Sequence, residues 1–88
     1  MSGVVNVFVS SPDTHSERRI DPRQTVAQLK GKLELITGIP AFNQMISLLS
    51  SERDRRLIAE LNDDSKMLGY YGLADWQVLE VRLIFLPV

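Results

Sequence analysis

The chain has 88 residues, which is room for one domain and one small core, and its 10 Lys+Arg against 11 Asp+Glu leave a net charge of −1. A near-neutral balance lacks the basic surplus that nucleic-acid binding draws on, and the complete lack of cysteine removes disulfides, thiolate metal sites and Cys nucleophiles together. Hydrophobic residues make up 44% of the chain, a globular value, yet no apolar run approaches the ~20 residues of a membrane span and Met1-Ser2-Gly3-Val4 does not open a signal peptide, so a soluble intracellular domain is expected.

In chain order, Val5, Val7 and Val9 alternate with Asn6, Phe8 and Ser10, the period of a half-buried strand. Ser11-Pro12-Asp13 turns the chain, and Ser16 to Asp21 returns as a second strand ending at Ile20, with Arg18 on the same face as Ile20. Asp21-Pro22 stops that strand. A helix then starts at Thr25, where Thr25 and Gln28 have the spacing of a capping box. Val26, Leu29, Leu33 and Ile36 fall within an arc of about 80° and form one apolar stripe, while Gly38 and Pro40 end the helix. Leu35 lies about 100–180° around from that stripe and should be exposed, either as a second contact or packed under the next loop.

Met45 to Leu49 reads as a third strand, with Ile46 and Leu48 on one face. Ser50 to Arg56 is a polar loop, and Leu57-Ile58 suits a brief fourth strand. Asn62-Asp63-Asp64-Ser65 has turn chemistry, and Met67 to Leu73 forms a compact single-turn segment. Val78 to Phe85 closes the chain as a strand, with Leu79, Val81 and Leu83 facing one way and Glu80, Arg82 and Ile84 the other. One helix with a single apolar stripe needs one sheet face to cover it. Placing the apolar first and last strands centrally and parallel under that helix gives an α+β fold of the β-grasp type, a mixed sheet of four to five strands on one helix.

The series Val5-Asn6-Val7-Phe8-Val9, Asp21-Pro22…Thr25-Val26…Leu29-Lys30…Lys32-Leu33, Gly38-Ile39-Pro40, Leu68…Tyr71…Leu73 and Val78-Leu79-Glu80-Val81-Arg82-Leu83 resembles ubiquitin-like domains in order and spacing. Lys32-Leu33-Glu34-Leu35-Ile36-Thr37-Gly38, Leu68-Gly69-Tyr70-Tyr71-Gly72-Leu73-Ala74-Asp75, Val7-Phe8-Val9-Ser10-Ser11 and the Arg18-Arg19 pair are similar to the N-terminal ubiquitin-like domain of the tubulin-folding cofactor B family. The resemblance implies a cytoplasmic and cytoskeletal role in post-chaperonin α-tubulin folding and α/β-tubulin heterodimer assembly or disassembly. It implies α-tubulin and tubulin-folding cofactor E as partners, no nucleic acid or membrane, and a monomeric domain. It also implies that residues 1–88 are one ubiquitin-like domain belonging to a longer protein with a glycine-rich cytoskeleton-associated domain. The chain ends Phe85-Leu86-Pro87-Val88 in place of the Gly-Gly tail that conjugation requires. The apolar patch by which ubiquitin is recognised corresponds to Pro12, Ser47 and Arg82, two of them polar or charged. An adaptor domain of the ubiquitin pathway, of the proteasome-shuttle type, is the alternative function.

The face of the sheet away from the helix is the candidate binding surface. On it, Phe8, Met45, Leu49 and Ile84 should emerge beside Ser47 and Arg82, either as a protein-binding patch or covered by loops. Arg53, Arg55 and Arg56, alternating with Glu52 and Asp54, form either a solvated loop or an electrostatic lure for an acidic partner. His15 is expected as a solvated imidazole in the first turn, and Trp76 as a packing residue or a partly exposed anchor. Asp63 and Asp64 lack the further oxygen ligands of a cation loop and read as turn residues. With no phosphate loop, nucleophile elbow or paired catalytic carboxylates in the chain, no enzymatic activity, metal or cofactor is expected.

Overall fold

A computed structural model describes residues 3–84. The strands are β1 (Val5–Ser10), β2 (His15–Ile20), β3 (Gln44–Leu49), β4 (Leu57–Glu60) and β5 (Val78–Leu83), with one helix, α1 (Val26–Thr37), and short 3-10 turns at Ala41–Asn43 and Leu68–Tyr71. The sheet runs β2-β1-β5-β3-β4. β1 and β5 pair in parallel at its centre, with Phe8 opposite Val78, and every other neighbour is antiparallel. This is the expected β-grasp, five strands and one helix. The expectation for Phe85 lies outside the described residues.

The core lies between the sheet's inner face and α1. Val7, Val9, Leu48, Leu79 and Val81 are fully buried there against Val26, Leu29 and Leu33, and Ile36 is half-buried at the end of the same stripe. Burying a leucine in such a core removes enough apolar surface from water to contribute about 1.5–3 kcal/mol. Leu83 departs from the alternation: it is 40% exposed. It sits on the last register pair, opposite Gln44, and borders a groove with Pro12, Thr37 and Ile39 where the helix has already ended. Leu35 is 89% exposed, so the following loop does not cover it.

Both helix ends are tied down. Thr25 accepts from the Gln28 N–H at 3.2 Å, and Gln28 Oε1 accepts from the Thr25 N–H at 2.9 Å, the reciprocal box the spacing predicts. The first-turn donors that this box leaves, Val26 and Ala27, reach the carbonyls of Lys66 and Asp64 at 2.9 and 3.1 Å. Leu68 and Gly69 return the contact by donating to Gln24 and Pro22. Lys30 Nζ then pairs with Asp64 at 2.8 Å on the same seam. At the far end Gly38 takes the left-handed conformation, φ 78°, and donates to Glu34, where a side chain with a Cβ would be strained. Gln44, 2% exposed at the start of β3, donates both amide hydrogens to the carbonyls of Lys30 and Ile39, which satisfies polar groups at the edge of the core.

Before the helix, Asp21 accepts from the Arg23 guanidinium and then from the Arg23 backbone N–H, and these bonds hold its carboxyl below the usual aspartate range. A group whose acidity is strengthened by folding contributes stability above its unfolded value and loses it as pH falls through the folded one. Replacing Asp21 by Asn should therefore flatten the loss of stability as pH falls through the ordinary aspartate range and below it, measured by urea unfolding at each pH. Thr25→Ala should cost about 1 kcal/mol and Leu29→Ala about 2–5 kcal/mol in the same assay. Equal costs would contradict the assignment of Leu29 to the core.

Candidate functional site

Strand alternation and register place Phe8 and Ser10 of β1, Glu80 and Arg82 of β5, Met45, Ser47 and Leu49 of β3, and His15, Glu17 and Arg19 of β2 on the outer face of the sheet. The register lines up Glu60, Ser47, Glu80, Ser10 and His15 as one row across all five strands. Every member of that row is polar. Ser47 donates to the Glu60 carboxylate at 3.0 Å and accepts from Arg82 Nη2 at 3.1 Å. Glu80 lies 3.6 Å from Arg82 Nε and 3.7 Å from Arg55 Nη2. Acid and base thus alternate along a ladder of two carboxylates and two guanidiniums.

The 50–56 loop runs back over this face. Ser50 N–H donates to the Arg56 carbonyl, Ser51 N–H to that of Asp54, and the Ser50 hydroxyl to Asp54 as well. From β3 the loop reaches β2, where Glu52 Oε1 lies 2.8 Å from His15 Nε2, a span of about 14 Å across three strand spacings. Leu49 and Val78 are buried on this face, which alternation by itself would leave open, at 7% and 0% exposure. His15 is solvent-exposed as expected, but it is the first residue of β2 and not of the turn, stacked on Phe8 with ring centroids 5.7 Å apart and next to Glu52.

Of the six residues expected in the patch, Met45 and Arg82 are exposed, Phe8 and Ile84 are half-buried, and Ser47 and Leu49 are buried. The four apolar members do not form one patch, although Met45 and Ile84 line a common groove. Phe8 stands on the Leu49 side of the polar row and Met45 on the other, about 15 Å or more apart by strand and residue spacing. Ser47 and Arg82 do come together, bonded to each other. The sequence carried a signal for the polar row in Ser47, the one hydrophilic residue within Met45-Ile46-Ser47-Leu48-Leu49. It carried none for Arg55 or Glu52, whose partners lie 25 and 37 residues away. Asp63 bonds Ser65, whose hydroxyl and then backbone N–H hold its carboxyl below the usual range, and Asp64 pairs with Lys30. Among the described residues no three ligating side chains gather as a metal site.

The chain matches the ubiquitin-like domain family over residues 4–82. It belongs to that family. Tubulin-folding cofactor B of Bos taurus is 36% identical to it over 73 residues, which is 81% of this chain and 29% of the relative. The cell polarity protein alp11 of Schizosaccharomyces pombe is 42% identical over 43 residues, 49% of this chain and 18% of the relative. The chain therefore spans less than a third of the length of either protein. The solved N-terminal ubiquitin-like domain of tubulin-binding cofactor B from Drosophila melanogaster superposes with a TM-score of 0.78 at 27% identity, covering 94% of this chain and 87% of that one.

In this ubiquitin-like domain the loop strap and the ion pairs contribute very unequally to stability. Leu49→Ala removes a buried side chain and should cost about 2–4 kcal/mol. Arg55→Ala removes one partner of a solvent-exposed pair and should cost under about 0.5 kcal/mol. Denaturant unfolding of the two variants measures the difference, and comparable costs would show that the charge ladder, not apolar burial, holds the loop down.

Proposed function

We propose that this ubiquitin-like domain is a non-catalytic docking module of a tubulin-folding cofactor, acting in the cytoplasm and at the cytoskeleton. It engages α-tubulin or tubulin-folding cofactor E during α-tubulin folding and tubulin heterodimer assembly or disassembly. The observation that carries the reading is the similarity to tubulin-folding cofactor B over 81% of the chain. The chemistry of the outer face agrees with it. The centre of that face is Arg82 hydrogen-bonded to Ser47 and bordered by Glu60 and Glu80, a polar surface that selects a partner by charge complementarity and hydrogen bonding. Met45, 44% exposed, and Ile84 supply apolar contact beside Arg82.

Calorimetric titration of the domain into purified cofactor E, and separately into α/β-tubulin, tests this. Saturable binding to one of them is expected, weakening as salt is raised. The double variant Met45→Asp, Arg82→Glu should lose about tenfold or more in affinity, about 1.4 kcal/mol or more, while its unfolding transition stays cooperative. Binding to neither protein, with saturable binding to a proteasomal receptor, would assign the domain to a ubiquitin-pathway adaptor instead.

A further inference from the structure

An aromatic strip runs from Trp76, at the head of β5, over Phe8 to His15 at the end of the polar row. Trp76 lies 6.0 Å from Phe8 between ring centroids, and Phe8 stacks on His15 at 5.7 Å with the rings 11° from parallel. Trp76 is 51% exposed, and its backbone is left-handed, φ 69°, the one non-glycine with positive φ among the described residues. A bulky side chain rarely occupies that region, because its Cβ crowds the backbone there. The conformation is held by two bonds at the head of the sheet: Trp76 N–H donates to the Asn6 carbonyl at 2.6 Å, and Asn6 N–H donates to Asp75 Oδ1 at 2.8 Å. Glycine at position 76 would satisfy the same backbone without strain. The strained residue instead presents a large indole at the surface, and strain of this kind collects where a side chain is held for a contact.

Carboxylates border the strip. Glu17 is directly opposite Phe8 on β2, Asp75 precedes Trp76 and is exposed with one oxygen engaged by Asn6, and Glu52 closes the His15 end. Against these three carboxylates the outer face of β2 sets one guanidinium, Arg19, opposite Asn6, whose backbone bonds Trp76 and Asp75. An electron-rich aromatic face rimmed by negative charge is complementary to a cation that is itself planar and weakly hydrated, which describes a guanidinium better than an ammonium.

We propose that Trp76, Phe8 and His15, with Asp75 and Glu17, form a docking platform for an arginine-bearing segment of a partner protein. The guanidinium stacks on Trp76 and pairs with the flanking carboxylates. This surface touches the polar row only at His15 and contains neither Arg82 nor Met45, so it stands or falls independently of the tubulin-cofactor reading.

The single tryptophan of the chain is its own reporter. The probe is an acetylated, amidated tetra-arginine peptide, with tetra-glutamate as the control. Tetra-arginine should change Trp76 fluorescence saturably and shift the amide resonances of residues 6–8, 15–17 and 75–77, while tetra-glutamate should do neither. Trp76→Gly should remain folded and lose tetra-arginine affinity by about tenfold, read from the amide shifts. Glu17→Lys, a surface change on a strand that keeps its pairing, should lose about threefold and supports the test even if Trp76→Gly fails to fold. An unsaturable response, an equal response to tetra-glutamate, or unchanged affinity in Glu17→Lys or in a folded Trp76→Gly would overturn the proposal.

Discussion

The parallel pairing of β1 with β5 is the constraint on which the rest of this structure depends. It brings the first and last strands together at the centre of the sheet, with Phe8 N–H donating to the Gln77 carbonyl and Trp76 N–H to Asn6. All-parallel sheets are covered on both faces, whereas a mixed sheet such as this one, with one parallel pair among antiparallel neighbours, can present one face to water. The inner face receives α1, whose three-turn stripe covers Val7, Val9, Leu79 and Val81. Among the described residues no second helix lies on the outer face. There Leu49 and Val78 are buried, the 50–56 loop reaches across to His15, and the charge ladder occupies the next row.

That solution determines what the outer face can do. An uninterrupted apolar surface would have offered one broad docking patch. The polar row divides it, leaving Met45 and Ile84 beside Arg82 on one side and Trp76 and Phe8 on the other, with His15 at the end of the row completing their strip. Each half is small, and each has charge at its border, so recognition at either is a matter of matched charge and geometry more than of area. The two halves also differ in origin. The first follows from strand alternation. The second depends on an irregular residue, Trp76, placed where the chain turns into β5.

The helix shows the same division between local and distant causes. Thr25 and Gln28 cap their own turn, and Gly38 ends the helix, through interactions within a few residues. The remaining first-turn donors are met by Asp64 and Lys66, about forty residues on, and Lys30 is drawn onto Asp64 by that docking. The segment between β4 and β5 therefore serves as the cap of α1 as well as a crossover. Its turn at Asp63-Ser65 and its 3-10 turn at Leu68–Tyr71 are what aim those carbonyls at the helix.

The sequence by itself determined the elements whose causes are local. These are alternation in β1, β3 and most of β5, the capping box and glycine stop of α1, the turn residues at 11–13 and 62–65, and from their order the β-grasp and its central parallel pair. It also placed Ser47 and Arg82 on one face, since alternation decides faces without knowing neighbours. Only the tertiary structure decided which outer-face side chains stay exposed. Leu49 is buried on a face that alternation leaves open, His15 is held because Glu52 arrives from the 50–56 loop, and Leu83 is open because the helix ends before reaching it. Those outcomes depend on contacts between residues far apart in the chain, and periodicity, which reports one residue's relation to its near neighbours, carries no trace of them.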